Sequence, residues 1–284
     1  MTEAISYAYA VARDDGTLRQ ALAGLPGVSG APVHLVRSEN CGDLVVAVSP
    51  VPQSEFEEDA LRRHLEDLDW LESVARAHHR VVEVLAERTT VLPLRLVTLY
   101  LDDDRVRSVL EDRREAFGSR LDDLTARAEW GVKVFVDETT ANGPPEEPRP
   151  AEELGPGQAY LSRRRAQRNA REDAYRSAGH VADRIESAAR PYAVGRVRHR
   201  PQQPGLAPRT GQNVANDAYL VPLEHAEAFR ADVGRAADGL AGVHVEITGP
   251  WAPYSFVAPD LPQDGDLTRD DRGTAAQDDR RTAR

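Results

Sequence analysis

The sequence predicts an α+β protein made of two similar halves. Runs in which every second residue is apolar, as in strands, alternate with stretches in which apolar residues recur at helical spacing. Their order along the chain is β-α-β-β-α-β, once in residues 1–101 and again in residues 128–258. Because this order is typical of the ferredoxin-like fold, we expect two ferredoxin-like domains joined by a connecting helix at residues 102–127.

The first half should contain four strands and two helices. We expect strands at residues 5–11, 33–36, 43–48 and 90–96, and helices at residues 17–23 and 54–88. Pro50 and Pro52 should end the third strand, because proline has no N–H to donate to a neighbouring strand. Pro93 indicates that the fourth strand lies at an edge of the sheet or ends early.

The predicted helix at residues 54–88 has a recognisable start and one apolar stripe. Ser54 and Glu57 are spaced as in a capping box, and the pattern allows a bend near Leu68. The residues at helical spacing, which we expect to be buried, are Leu61, Leu65, Leu68, Leu71, Ala75, His78, Val82 and Leu85.

The connecting helix should begin at Asp102, since carboxylates stabilise the N-terminus of a helix. In the second half we expect strands at residues 130–136, 192–198, 217–221 and 243–247, and helices at residues 157–189 and 222–240. The apolar stripe of the first of these helices comprises Leu161, Ala170, Ala174, Ala178, Val181, Ile185 and Ala188. Residues 138–155 are rich in Pro, Glu and Gly and should form a surface loop. Residues 259–284 have almost no apolar side chains, so we expect a disordered, flexible tail.

Composition and charge narrow the classes of function. The net charge of −11 disfavours a nucleic-acid partner, which needs a basic surface. No apolar run approaches the roughly 18 residues that a membrane span requires, and residues 1–4 lack the features of a signal peptide. We therefore expect a cytoplasmic protein with no membrane partner. Cys41 is the only cysteine, so we expect neither an intrachain disulfide nor a Cys-x-x-Cys site.

A search for catalytic and ligand-binding patterns gives few candidates. The glycine-rich stretch at residues 24–30 does not lie between a strand and a helix, as a dinucleotide-binding loop must. His79 with Glu83 could supply two ligands of a metal site, but a zinc site needs three or four. We expect His78 and His79 to be solvated or part of the core. The sequence predicts no catalytic residues, no cofactor and no metal.

A residue pair and a run of arginines on the predicted helix at residues 157–189 are best interpreted as solvated surface residues. His180 and Asp183 are spaced as a surface pair on a helix. A basic run on the same helix comprises Arg163, Arg164, Arg165, Arg168 and Arg171. Such a run is usually a solvated helix face balanced by acidic neighbours, and the alternative is that it faces an acidic partner.

An aromatic stretch follows the last predicted strand, in a chain that is poor in aromatic residues. Trp251, Tyr254 and Phe256 lie within six residues, after a break at Gly249 and Pro250. Burying a large aromatic side chain contributes roughly 2–3 kcal/mol, so at least one should point inward and close the core of the last domain. The alternative is a patch that contacts a partner protein, and the two interpretations can hold together.

Four stretches of the chain are distinctive in sequence and order. They are Val91-Leu92-Pro93-Leu94-Arg95, Ala128-Glu129-Trp130-Gly131-Val132-Lys133-Val134, Tyr219-Leu220-Val221 and Ile247-Thr248-Gly249-Pro250-Trp251-Ala252-Pro253-Tyr254-Ser255-Phe256-Val257. With this spacing they resemble the GvpF/GvpL family of gas vesicle proteins over about residues 5–258, and the second and fourth stretches are specific. One departure is Leu96-Val97, where the family commonly has an aromatic residue and a glycine.

The resemblance implies a non-enzymatic protein, an accessory or minor structural protein of gas vesicle formation. The gas vesicle is a cytoplasmic, gas-filled protein shell. The family is described as two α+β domains, the first a modified ferredoxin-like fold, that bind the main shell protein and other accessory vesicle proteins. A charged protein with sheet edges open to an added strand suits the task of covering an apolar shell protein.

Two other functions remain open on the sequence alone, because fold does not define function. Ferredoxin-like pairs also serve as small-ligand-binding regulatory proteins, which would need a closed pocket with converging polar groups. A cleft between the domains could also hold an active site, which would need a buried cluster of titratable groups with shifted pKa values. An assembly protein should instead have an exposed apolar surface or an open strand edge.

Overall fold

The computed structural model describes residues 3–137, 156–202, 211–240 and 242–257. The strands of its first half are β1 Ala4–Arg13, β2 His34–Arg37, β3 Leu44–Pro52 and β4 Val91–Tyr100. They form one antiparallel sheet with the spatial order β2-β3-β1-β4.

The second half repeats this arrangement. Its described strands are β5 Arg127–Val136, β6 Gly195–His199, β7 Gln212–Pro222 and β8 Val243–Trp251. Their spatial order is β6-β7-β5-β8, and every neighbouring pair is antiparallel. In both sheets the first and third strands of the half lie at the centre, which is the ferredoxin-like order. The predicted α+β fold class is confirmed.

Eight α-helices occur among the described residues. They are α1 Leu18–Ala21, α2 Gln53–Phe56, α3 Glu58–His64, α4 Leu68–Ala86, α5 Asp103–Asp112, α6 Arg114–Leu124, α7 Pro156–Ala189 and α8 Ala226–Gly234. The loop predicted at residues 138–155 and the tail predicted at residues 259–284 lie outside the described residues. The domain limits at residues 1–101 and 128–258 stay a prediction.

Three clusters of buried side chains hold these elements together. The first lies between one face of the first sheet and helices α1–α4, around Tyr7, Tyr9 and Leu85. The second lies on the opposite face of that sheet, under α5 and α6, and continues to Leu220 and Phe256 of the second half. The third lies between the second sheet and helices α7 and α8. Helices α5 and α6 therefore form a layer between the two halves.

Where the sequence predicts one helix at residues 54–88, the structure has three. Ser54 lies inside α2, so the predicted capping box is wrong. The cap that forms is at Asp67, whose carboxylate accepts hydrogen bonds from the N–H groups of Asp69 and Trp70 at the start of α4. The bend that the pattern allowed is thus a full interruption between α3 and α4.

Two further boundaries differ from the prediction. β3 continues through Pro50 and Pro52, which lie opposite Ser6 and Ala4 of β1. β2 begins at His34 opposite Val48, so on that side of β3 no described strand is paired with the two prolines, and their missing N–H groups are tolerated there. The predicted connecting helix is two helices, α5 and α6, because Arg113 between them has a non-helical backbone with φ −114° and ψ 15°.

The predicted apolar stripes of α4 and α7 are buried only in their C-terminal parts. The buried members are His78, Val82 and Leu85 in α4, and Ala174, Ala178, Val181 and Ile185 in α7. By contrast, Leu65, Leu68 and Leu161 are 50%, 71% and 57% exposed. These three leucines lie ahead of the parts of the helices that contact a sheet, so the prediction of their burial is wrong.

β4 is an edge strand, paired with β1 alone among the described strands, as Pro93 indicates. The pairing shifts register between Ala8 and Ala10 of β1, so that β4 bulges before Thr98. Val97 in this bulge has φ +63°, a left-handed conformation that is unfavourable for a β-branched residue. The family that the sequence resembles commonly has glycine here, which adopts such a φ without strain.

Candidate functional site

Residues 249–257, which we call the junction segment, lead from the second half to the first. The break predicted at Gly249 does not end β8, which continues to Trp251 with a cis peptide bond before Pro250. Gly249 has φ +130°, and a Cβ there would lie 2.8 Å from the carbonyl oxygen of Glu129. Only glycine therefore fits, and this close approach places the segment directly against β5.

A buried carboxylate fixes the middle of the junction segment. Glu129 on β5 accepts hydrogen bonds from the backbone N–H and the hydroxyl of Ser255, both at 2.7 Å. Since the hydroxyl proton of Ser255 goes to Glu129, the 2.9 Å contact between Ser255 Oγ and His199 Nε2 requires the imidazole to donate. Burial raises the pKa of Glu129, and the two hydrogen bonds and nearby His199 oppose this only in part.

Phe256 anchors the end of the segment between the two halves. Its buried ring packs against Gly195 of β6, where a Cβ would lie 3.0 Å from Cε1 of the ring. Its backbone carbonyl accepts a hydrogen bond from the guanidinium of Arg120 on α6. Phe256 therefore contacts the second sheet and the α5–α6 layer at once.

Tyr254 carries the segment onto the first half. Its ring centroid lies 6.3 Å from that of His78 and 6.1 Å from that of His79, both on α4. Its hydroxyl is 3.5 Å from Nδ1 of His79. Burial raises the pKa of Tyr254, and the nearby carboxylates of Glu83 and Glu129 add to this, so the phenol stays protonated and able to donate.

Trp251 is the most exposed of the three aromatic residues. It is 39% exposed, and its ring centroid lies 5.5 Å from that of His79. It borders an open groove of about 510 Å³ between the end of α4 and the start of β5. The exposed side chain of Leu223 lies along the same groove, with Arg88 and Glu87 at its margin. The groove offers apolar surface between charged groups and is not an enclosed pocket.

The three aromatic residues therefore lie in different environments. Phe256 is buried, Tyr254 is half-buried and Trp251 is exposed. The cluster that Phe256 enters is the one between the halves, whereas the sequence placed it in the core of the last domain. The reason is that the chain leaves the second sheet after Trp251 and crosses to the first half. Whether any of the three contacts a partner stays a prediction.

A buried hydrogen-bond network lies beside Tyr254. The hydroxyl of Tyr7 accepts a hydrogen bond from the N–H of Val97 at 3.0 Å, so its own proton goes to Nδ1 of His78 at 3.1 Å. Burial lowers the pKa of His78 to about 4, and the imidazole is neutral near pH 7. His78 is thus a core histidine, while half-exposed His79 pairs with a carboxylate on its own helix.

The site shows contacts suited to holding the chain in place. The hydroxyl of Ser255 donates to the carboxylate of Glu129, whereas a nucleophilic serine donates to its imidazole base. Within the described ranges, no three metal-ligating side chains come together. Among the described residues, no helix has the length and apolar character of a membrane span.

The residues that hold the junction segment in place were not predicted from the sequence, although both lie in stretches that carry the family resemblance. Glu129 and Ser255 each belong to one of the two specific stretches, and the structure joins these stretches by two hydrogen bonds. Leu220, from a third stretch, lies in the same cluster as Phe256. The stretches that carry the resemblance therefore meet at one place in the fold.

Fold and site together define a protein with two ferredoxin-like sheets, in which a C-terminal aromatic segment joins one half to the other. The chain matches the family described as gas vesicle synthesis protein GvpL/GvpF over residues 5–258, and it belongs to that family. It is 41% identical to gas vesicle protein L of Streptomyces sp. (strain CB03234) over 256 residues, 90% of this chain and 93% of that relative. Gas vesicle protein F of the same strain is 26% identical over 262 residues, 89% of this chain and 99% of that relative.

Two crystal structures share the fold. Gas vesicle protein GvpF from Anabaena sp. PCC7120 has a TM-score of 0.62 at 16% identity, covering 92% of this chain and 99% of that one. GvpF from Microcystis aeruginosa has a TM-score of 0.58 at 16% identity, covering 89% and 99%. The family resemblance predicted from the sequence is confirmed.

Proposed function

We propose that this protein is an accessory protein of gas vesicle formation that binds the main shell protein and other accessory vesicle proteins during assembly. Membership of the family over residues 5–258 supports this role, as do the relatives named gas vesicle proteins L and F. The protein acts in the cytoplasm at the forming vesicle, and it acts by binding and not by catalysis.

The observation that carries the proposal is the groove beside Trp251. Trp251 and Leu223 expose apolar surface along it, and the hydrogen bonds between Glu129 and Ser255 fix the backbone close by. An aromatic side chain on a fixed support loses little conformational freedom on binding, so it is suited to be a contact residue. A shell subunit that encloses gas must carry apolar surface, which such a groove can cover during assembly.

The test measures the affinity of the purified full-length chain for the main shell protein. Trp251→Ala and Leu223→Ala should each weaken binding by at least about tenfold, or about 1.4 kcal/mol. Leu101→Ala is the matched control, because Leu101 is a similarly exposed leucine outside the groove. It should bind as the wild type does.

Stability measurements separate a lost contact from a lost fold. Because Trp251 is partly exposed, Trp251→Ala should lower the free energy of unfolding by about 1 kcal/mol, and not by the roughly 3–5 kcal/mol of a fully buried tryptophan. Wild-type affinity in both groove variants would show that the groove is not the contact surface. A wild-type chain that binds no vesicle protein would contradict the proposed function itself.

A further inference from the structure

Three leucines that the helical pattern would bury are exposed, at two places of opposite charge. Leu65 and Leu68 lie just before and at the start of α4, and Leu161 lies in the N-terminal part of α7. Single exposed leucines are ordinary, but these three belong to apolar stripes, whose members are expected to be buried. We propose that the N-terminal part of α7 in one copy of this protein docks on the corner before α4 of a second copy.

The N-terminal part of α7, residues 156–173, is named the arm. α7 has 34 residues and is about 51 Å long at 1.5 Å per residue. The 11-residue strand β7, against which it packs, spans only about 37 Å. Ala174 is the first buried residue among the described side chains of α7. The arm therefore extends past the end of the sheet.

The arm is basic, although the whole chain carries a net charge of −11. Its five arginines outnumber its two carboxylates, so its net charge is +3. The exposed residues that share one face at helical spacing are Leu161, Arg164, Arg165 and Arg168. This face presents one leucine and three arginines, of which Arg168 lies 3.8 Å from the carboxylate of Glu172 on the same helix.

The corner between α3 and α4, residues 65–69, has the complementary character. All five residues are exposed, and three of them, Glu66, Asp67 and Asp69, are acidic. Exposed Glu72 lies one turn further along α4, where it pairs with Arg76. The corner thus presents two leucines among carboxylates, which match the leucine and the arginines of the arm. Opposite charges around an apolar contact fix both partner and register.

The position of the two surfaces assigns the contact to separate copies. The corner belongs to the helices on the face of the first sheet that is turned away from α5 and α6. The arm belongs to the helices on the far face of the second sheet. Both sheets and the α5–α6 layer therefore separate the two surfaces within one chain. Because the two surfaces lie on opposite sides of the chain, a pair of copies cannot make both contacts at once, and the contact repeats from copy to copy to build a ring or an open chain.

Sedimentation of the full-length chain tests the proposal. The wild type should associate with increasing concentration at about 0.05 M salt and much less at about 0.5 M salt, because salt screens exposed charges. The variant with Arg164→Glu, Arg165→Glu and Arg168→Glu should associate at least about 100-fold more weakly. A wild type that is monomeric at low salt, or a reversed arm that still associates, would overturn the proposal. Capture of a different acidic protein by a monomeric wild type would overturn it as well.

A charge exchange distinguishes a complementary contact from damage to the fold. In the second variant, Glu66→Arg, Asp69→Arg and Glu72→Arg reverse the corner, and Asp67 is kept because it caps α4. Each variant alone should be monomeric, since like charges then oppose one another. An equimolar mixture should associate again, because the reversed arm of one variant meets the reversed corner of the other, and the two unreversed surfaces also match in charge. A mixture that stays monomeric while both variants are folded would contradict the contact.

A matched control reverses the same number of charges elsewhere on the helix. Arg176 and Arg184 are exposed on the part of α7 that covers the second sheet, and exposed Arg190 directly follows its last residue. Their simultaneous change to Glu should leave association within about threefold of the wild type, because they lie outside the arm. A loss equal to that of the reversed arm would show that net charge, and not the arm, governs association.

Discussion

The two sheets have the same strand order but are covered differently. β1 and β3 are buried along almost their whole length, because α1–α4 cover one face of the first sheet and α5–α6 cover the other. The corresponding central strands β5 and β7 contain more half-buried residues, since α7 and α8 cover one face of the second sheet and the α5–α6 layer meets only part of the other. One topology thus supports two layer arrangements.

The residues of the central strands account for this difference in how the two sheets are covered. Residues 7–12 of β1 form a continuous apolar run, as expected of a strand with two covered faces. In β5, by contrast, Val132 and Val134 alternate with Gly131 and Lys133, as expected of a strand with one covered face. The strand order of each sheet follows from the order of strands and helices along the chain. The number of sheet faces that helices cover follows from whether alternate residues of the central strands are apolar or polar.

The largest expected effect concerns the layer between the halves. Leu121 on α6 is fully buried, so Leu121→Ala should lower the free energy of unfolding by about 2–5 kcal/mol. Ile247 on β8 is half-buried, and Ile247→Ala should cost about 1–2 kcal/mol. Urea denaturation followed by circular dichroism measures both. Equal losses would show that the layer between the halves is packed no more tightly than the edge of the second sheet.

Acid should weaken the first half through His78. Its pKa is about 4 in the folded chain and 6.5 in the unfolded chain, so between these values only the unfolded chain takes up the proton. Stability should therefore fall by about 3 kcal/mol as the pH decreases from about 6.5 to about 4. His78→Asn, which keeps an acceptor for Tyr7, should lack this dependence. An unchanged pH profile in the variant would contradict the assignment.

Glu129 in the second half should give the opposite pH dependence. Burial raises its pKa above the unfolded value, so just above that value the folded chain binds the proton more strongly. Its contribution to stability should then decrease as the pH rises through this window. Glu129→Gln removes the ionisation, and the difference between its denaturation profile and that of the wild type isolates the effect. A difference that does not vary with pH would contradict the raised pKa.

The smallest expected effect is a gain in stability at the bulge of β4. Val97→Gly relieves a left-handed backbone and should raise the free energy of unfolding by about 1 kcal/mol. Ala126→Gly, just before β5, is the matched change, because Ala126 also has a positive φ, of +56°. It should give a smaller gain, since alanine is less crowded there than a β-branched residue. A loss of stability in Val97→Gly would mean that the packing of its side chain outweighs the strain.

The strand order could be predicted because each strand and helix carries its own local pattern. The predicted capping box failed since Asp67, and not Ser54, provides the side-chain cap that starts the long helix. The pairing of Glu129 with Ser255 joins residues 126 positions apart, so no local pattern reports it. Helical spacing indicates that Leu161 should be buried, but it does not show whether the same chain provides the surface that buries it.

The junction segment follows every other described element along the chain. A chain emerges from the ribosome N-terminus first, and its earlier parts fold before its later parts exist. The first sheet and its helices can therefore form before residues 249–257 are synthesised. Ser255 and Phe256 can form the contacts that join the two halves only when synthesis reaches them. A translation product that stops before Gly249 would contain nearly all of both sheets but would lack the contacts through which the junction segment joins them.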